Sequence, residues 1–140
     1  MRKHNGKEYL EKNKHTIQEL LEIVKILRSP GGCEWDRAQD FKSMEKCLKD
    51  ETEEVILAID NSDYENLKEE LGDVLLQVVM NCEIASELGL FEFKDVVQVL
   101  SEKLIRRHPH VFGDAPKPKT PEQSLELWKR VKKHEKERTK

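Results

Sequence analysis

Two helical patterns meet in the stretch DETEEVILAIDNSDYENLKEELGDVLLQVV, residues 50–79, and only a short polar turn separates them. The first pattern covers about residues 43–59 and the second about residues 63–88, each with apolar side chains at helical spacing. Ser62 and Glu65 form a capping-box pair at the start of the second helix. Because so short a turn joins antiparallel neighbours, the sequence predicts a tight antiparallel helix hairpin.

Three more helices are predicted around this hairpin, and no strand-like alternation of useful length is found along the chain. They cover about residues 17–28, residues 94–108 and a segment that starts near residue 120, with loops at 30–40 and 110–119. We therefore expect an all-α fold with one domain at residues 16–133, a polar N-terminal extension at 1–15 and a charged C-terminal tail at 134–140.

The composition is polar, with 36% hydrophobic and 38% charged residues, but the apolar residues are concentrated in periodic blocks. This is typical of helices with charged outer faces rather than of a disordered chain. No apolar run approaches the length of a membrane span, and no apolar block follows the basic N-terminus, so we expect a soluble, cytoplasmic protein. Three scattered cysteines without a CxxC pair argue against a disulfide framework and a structural zinc site.

Charge is distributed unevenly, although the net charge is only −3. Residues 45–73 contain 11 acidic and 3 basic residues, whereas residues 102–140 contain 12 basic and 6 acidic residues. The two regions could simply attract each other. They could also divide a ligand between them, with the acids on a cation and the bases on an anion.

Four carboxylates are expected to converge at one level of the hairpin. Glu51 and Glu54 are three residues apart before the turn, and Glu70 and Asp73 are three apart after it. Asp73 also belongs to a polar stripe, continued by Gln77, that borders the apolar face of its helix. Converging carboxylates repel one another, and a hard cation such as Mg²⁺ or Mn²⁺ removes the conflict. A solvated acidic face is the alternative, but two matched pairs favour a metal site.

The order of these motifs resembles that of the MazG-like nucleoside triphosphate pyrophosphohydrolases, a family of the all-α NTP pyrophosphatases. The hallmark of that family is EExxE followed by ExxD, and here it reads DETEE at residues 50–54 and ELGD at residues 70–73. Further family blocks are matched by GCEWDRAQ at 32–39, EELGDVLLQVV at 69–79, KLIRRHPHVFGD at 103–114 and the spacing of Trp128 and Lys132. The resemblance covers about residues 17–133, with the blocks in family order.

The resemblance implies a MazG-like helical bundle that assembles as a homodimer or larger homo-oligomer. It also implies Mg²⁺-dependent cleavage of an NTP or dNTP to the monophosphate and pyrophosphate. It places the metal ligands at Glu51, Glu54, Glu70 and Asp73. Asp50 stands where the family has the first glutamate of its motif, so its reach is one methylene shorter. Asp50, Glu51 and Glu54 each remain candidates for the group that helps to deprotonate the attacking water.

Basic and aromatic residues of the second half are the candidates for binding the nucleotide. Lys103 and Arg107 share one helix face and suit phosphate oxygens, or they form solvated ion pairs. Trp128 could stack on a base beside the Lys132 ammonium, or it could be an ordinary packing anchor. Trp35 could form a second stacking surface, or it could clamp its loop onto the bundle.

Two other functions compete with NTP pyrophosphohydrolysis. A non-catalytic nucleotide- or metal-binding regulatory protein of the same fold is kept open by the departure at Asp50. A nucleic-acid-binding protein would use the basic segment KRVKKHEKERTK at residues 129–140. The negative net charge and the interspersed Glu135 and Glu137 count against binding to nucleic acid.

Overall fold

The structure is a computed structural model that describes residues 6–138. A short 3-10 helix, Lys7–Glu11, comes first. The α-helices in chain order are α1 Ile17–Leu27, α2 Glu34–Arg37, α3 Phe41–Asp60, α4 Tyr64–Glu87, α5 Phe93–Arg106, α6 Pro109–Phe112 and α7 Pro121–Arg138. Residues 6–138 contain no strand, which confirms the all-α fold class.

The predicted hairpin is formed by α3 and α4, which make the most extensive helix–helix contact of the described chain. The turn is closed by a hydrogen bond from the Asp63 amide to the Ala58 carbonyl at 3.0 Å. The cap differs from the prediction, because Asp63 rather than Ser62 is the N-cap of α4 and accepts from the Asn66 amide at 3.2 Å. Ser62 has a φ of 52° within this turn, so it bends the chain instead of capping the helix.

Helix α1 packs against α4 and completes the core of the first half of the chain. Thr16 caps α1 by accepting from the Glu19 amide at 3.2 Å, as its capping-box pattern indicates. The buried residues of the core come from α1, α3 and α4 and are Val24, Met44, Val79, Met80 and Ile84. The hairpin is therefore fixed on one side by apolar packing, which gives its polar side chains defined positions.

The chain divides into two compact units, and the second unit begins at Lys94. In the second unit, Glu135 on α7 forms ion pairs with Arg106 and Arg107. Thr120 accepts from the Gln123 amide at 3.2 Å at the start of α7. These contacts hold the end of α5 against α7 within this unit.

Two segments expected as loops each contain one turn of helix, α2 in residues 30–40 and α6 at the start of residues 110–119. Pro109 ends the preceding helical pattern, as expected, but it also occupies the first turn of α6, where a missing N–H costs nothing.

The division into residues 1–15, 16–133 and 134–140 stays a prediction, and its parts at 1–5 and 139–140 lie outside the described residues. Helix α7 continues through residue 134 to Arg138. None of the helices in the described part of the chain is long and apolar enough to span a membrane.

Candidate metal centre

Three of the four predicted carboxylates meet between α3 and α4. Glu51, Glu70 and Asp73 each place one carboxylate oxygen within 4.8 Å of the other two. All three side chains are partly buried. Glu51 comes from α3 and the other two from successive turns of α4, so the hairpin itself brings the group together.

Glu54 lies one turn after Glu51 on α3, but it is exposed and outside the group of three. Its charge still reaches the group, because it contributes to raising the pKa of Glu51 and of Glu70. The structure therefore places Glu54 at the rim of the cluster.

The cluster raises the pKa of two of its own members. Burial is the main cause of the raised pKa of Glu51, and the charge of Asp73 is the next. Burial likewise raises the pKa of Glu70, followed by the charges of Asp73 and Glu54. Glu51 and Glu70 are thus less stable in their charged forms than they would be in water. A cation bound between them would reverse this preference.

Asp50 is exposed and lies outside the converging group. Its carboxylate forms an ion pair with Lys46 at 3.0 Å, one turn earlier on α3, and this contact raises the pKa of Lys46. The spacing of four residues between Lys46 and Asp50 is a signal that could have revealed the pair from the sequence.

The donor set of the cluster suits a hard divalent cation. Glu51, Glu70 and Asp73 offer oxygen atoms alone, which are the ligands that Mg²⁺, Ca²⁺ and Mn²⁺ prefer. Gln77 follows Asp73 by one turn of α4 and is 5% exposed. Its Oε1 is a buried oxygen that has no hydrogen-bond partner in the described structure. The residues present therefore fit a divalent metal.

Trp35 lies on α2 and its side chain is exposed, at 58% of its full area. Helix α3 begins directly after this segment, and Glu51 follows the N-cap Asp40 by about 16 Å along the helix axis. The structure thus places Trp35 near the start of α3 and the carboxylate cluster near its middle.

Arg28, which the sequence analysis did not single out, holds the α2 segment in place. Its guanidinium donates to the carbonyl of Gln39 at 3.1 Å and to that of Asp36. It also pairs with the Glu87 carboxylate, at 2.7 Å from Nε and 3.2 Å from the terminal nitrogen. Arg28 therefore holds the α2 segment through two backbone carbonyls.

Three of the predicted nucleotide-binding residues meet in the second unit. The guanidinium carbon of Arg107 lies 5.0 Å from the centre of the Trp128 ring, and Lys132 Nζ lies 5.1 Å from it. Arg107 also pairs with Glu135 at 3.2 Å. Lys103 lies in the last turn of α5, four residues before Arg107, and is partly buried. Trp128 is thus bordered by two cations.

Comparison with known proteins assigns the helix hairpin and its carboxylate cluster to a protein family. The family model for the MazG nucleotide pyrophosphohydrolase domain matches residues 39–112, a little over half of the chain. The chain belongs to the MazG family. The matched range contains α3, α4 and the whole carboxylate cluster.

Named relatives are similar over most of this chain. A nucleoside triphosphate pyrophosphohydrolase/pyrophosphatase MazG of Thermotoga maritima is 51% identical over 120 residues, which cover 86% of this chain and 45% of the relative. A nucleoside triphosphate pyrophosphohydrolase of Escherichia coli (strain K12) is 42% identical, over 85% of this chain and 45% of the relative. The chain therefore spans less than half the length of these two relatives.

A solved structure supports the MazG fold. The crystal structure of a MazG-related protein from Thermotoga maritima aligns with a TM-score of 0.68 and 29% sequence identity. The alignment covers 84% of this chain and 99% of that chain. The predicted MazG-like helical fold is therefore confirmed.

Proposed function

We propose that this chain is a Mg²⁺-dependent nucleoside triphosphate pyrophosphohydrolase that converts an NTP or dNTP to the monophosphate and pyrophosphate. The observation that carries the proposal is the convergence of Glu51, Glu70 and Asp73 in a MazG-family domain. The similar Thermotoga maritima and Escherichia coli proteins are named as pyrophosphohydrolases, which supports this reaction class.

The carboxylate cluster would hold the cation, with Glu51, Glu70 and Asp73 as ligands and Glu54 as a further ligand from the rim. Mg²⁺ is the proposed ion, and Mn²⁺ is a possible substitute because it prefers the same oxygen ligands. When bound, the cation neutralises phosphate charge and makes water a better nucleophile at neutral pH. Without it, the cluster would repel a triphosphate.

In the proposed reaction, water attacks the α-phosphorus and the bond between that phosphorus and the bridging oxygen breaks. Pyrophosphate leaves with the bridging oxygen, and a carboxylate accepts the proton of the water. Asp50, Glu51 and Glu54 remain the candidates for this base. Asp50 is held in an ion pair with Lys46 at 3.0 Å, so it would have to leave that contact to reach the water.

The second unit contains most of the residues that we propose for phosphate and base recognition. Lys103, Arg107 and Lys132 are the proposed partners of phosphate oxygens, and Trp128 is the proposed stacking surface. Trp35 is a further candidate because its exposed indole is available to a ligand.

We further propose that the chain forms a homodimer or larger homo-oligomer. Large apolar side chains on both helices of the hairpin are exposed, namely Ile56, Leu57, Ile59, Leu71, Leu75 and Val78. Exposed apolar surface of this kind is typical of protein–protein contacts, and a second copy is the simplest partner for it. A cytoplasmic location is proposed from the three free thiols, which suit a reducing compartment.

The test is pyrophosphate release from a panel of NTPs and dNTPs, with Mg²⁺ or with a chelator. Asp73→Asn is expected to lower the rate at least about a hundredfold, because metal-assisted charge stabilisation contributes several kcal/mol. Glu53→Gln is the matched control, since Glu53 is exposed on α3 and outside the cluster. Release that does not require Mg²⁺, or that survives in Asp73→Asn, would contradict the proposal.

A non-catalytic nucleotide- or metal-binding regulator of the same fold is the second candidate. It is favoured by Asp50, which is paired with Lys46 and lies outside the converging carboxylates. A protein that binds Mg²⁺ and nucleotide but releases no pyrophosphate from any member of the panel would establish this alternative.

A further inference from the structure

Gln77 is a buried polar side chain on α4 whose oxygen stands out in the described part of the chain. It is 5% exposed, and its Oε1 makes no hydrogen bond within the described residues. A buried acceptor that stays unsatisfied destabilises a protein, so an apolar residue of similar size would suit a purely structural role better. The buried amide therefore indicates that Gln77 has a functional role in addition to packing.

The position of Gln77 on α4 directs it toward the carboxylate cluster. Glu70, Asp73 and Gln77 lie on one stripe of the helix, at spacings of three and four residues. Side chains of an α-helix lean toward its N-terminus and cover the preceding turn. For Gln77, that turn contains Asp73. Residues four apart have Cβ atoms about 5–6 Å from each other, which is within reach of a glutamine amide.

We propose that Gln77 is a positioning residue of the metal centre, whose Oε1 accepts a hydrogen bond from the hydration shell of the cation held by Glu51, Glu70 and Asp73. The inference rests on the proposed function, because it requires that cation. Mg²⁺ and related ions keep several of their waters when they bind to proteins. Acceptors around a metal site orient its inner ligands and strengthen binding.

An amide suits this position better than a carboxylate would. Burial and the neighbouring charges already raise the pKa of Glu51 and Glu70, so a further buried negative charge would destabilise the metal-free protein. The carboxamide of Gln77 supplies an acceptor oxygen without that charge.

The first test is calorimetric titration of the nucleotide-free 140-residue chain with Mn²⁺. Gln77→Met keeps the length of the side chain and removes the acceptor, and we expect it to weaken Mn²⁺ binding about tenfold or more. The metal-free variant should unfold at the same temperature as the wild type or higher, because an unsatisfied buried amide is removed. Mn²⁺ affinity within twofold of the wild type would overturn the inference.

Asn81→Leu is the matched control, since Asn81 lies one turn further along the same stripe and its amide donates to the Gln77 backbone carbonyl at 2.7 Å. Its Mn²⁺ affinity should stay within twofold of the wild type. An equal loss in Asn81→Leu would mean that the effect is general to this helix, and it would also overturn the inference.

Two further variants separate the inference from the proposed function. Asp73→Asn tests the metal centre itself: if it binds Mn²⁺ as the wild type does, the metal centre is wrong, and the role of Gln77 falls with it. Loss of binding in Asp73→Asn with unchanged binding in Gln77→Met would overturn the role of Gln77 alone. Gln77→Glu, which retains acceptor oxygens, should bind Mn²⁺ at least as tightly as the wild type, and weaker binding would contradict the inference even if Gln77→Met did not fold.

Discussion

Glu51 on α3 and Asp73 on α4 hold carboxylate oxygens within 4.8 Å of each other across the helix hairpin, with Glu70 as the third member of the group. After burial, the charge of Asp73 is the largest cause of the raised pKa of Glu51. The two residues therefore repel each other in the metal-free protein, and a divalent cation between them would remove that repulsion. Metal binding and protein stability should be coupled at this point of the fold.

Glu51 and Glu70 should contribute more to the stability of the metal-free protein as the pH falls from neutral toward about 4.5. Both have a folded-state pKa above the ordinary value, so in this window the folded protein binds more protons than the unfolded one. The free energy of unfolding then falls as the pH rises through the raised pKa values. The measurement is thermal unfolding in a chelator across this range.

Other carboxylates act in the opposite direction, because a hydrogen bond from Lys12 lowers the pKa of Glu19, and one from Arg106 lowers that of Glu135. The double variant Glu51→Gln/Glu70→Gln isolates the cluster from them. Its stability should gain less than that of the wild type as the pH falls. Identical pH profiles for the two proteins would show that the cluster does not titrate as expected.

Gly32→Ala should destabilise the protein by about 1–3 kcal/mol. A Cβ at Gly32 would lie 2.4 Å from the backbone oxygens of Ile26 and Leu27, and backbone atoms at the end of α1 cannot move aside cheaply. Gly72→Ala is the control, because a Cβ there meets nothing within 4 Å. In α4 it should stabilise the helix by about 0.5–1 kcal/mol. Chemical denaturation of both variants measures the contrast, and equal effects would contradict it.

Arg28→Lys should lower the free energy of unfolding by about 1–3 kcal/mol. The Arg28 side chain is 7% exposed, and a lysine cannot reproduce its paired contacts with Glu87 and its contacts with the α2 carbonyls. Arg37→Lys is the matched control, since Arg37 forms a more exposed ion pair with Glu34 at 3.1 Å. That variant should change stability by less than about 0.5 kcal/mol. A result in which both substitutions cost the same would rule out a special role for Arg28.

Lys132→Met should raise the KM for the nucleotide about tenfold with little change in stability, if the second unit binds phosphate as proposed. Lys132 Nζ lies 5.1 Å from the centre of the Trp128 ring, so the ring keeps the ammonium close to the proposed base-stacking surface. Arg130→Met is the control, because Arg130 is exposed on the same helix and lies outside the cleft that Trp128 and Lys132 line. Steady-state kinetics with one good substrate compare the two. A KM that rises equally in both variants would indicate general electrostatic attraction by α7.

Local features of this protein could be predicted from the sequence because they depend on residues close together in the chain. The hairpin of α3 and α4 follows from apolar spacing and a short polar turn, and the bounds of its helices differ from the prediction by only one or two residues. The motif spacing also indicated that Glu51, Glu54, Glu70 and Asp73 would lie at one level, and the structure brings together three of these four. The short helices α2 and α6 were not predicted, since one helical turn has no periodicity to detect.

The side-chain geometry depended on contacts between distant residues, which no local pattern contains. Arg28 reaches a partner 59 residues away in Glu87, and spacing gives no signal for such a pair. Spacing likewise treats Glu54 and Glu51 alike, whereas packing of α3 on α4 buries Glu51 partly and leaves Glu54 exposed. The same packing leaves Gln77 Oε1 buried without a hydrogen-bond partner among residues 6–138. Helical periodicity sets the face on which a side chain lies, and packing against a neighbouring helix sets how deeply it is buried and what it contacts.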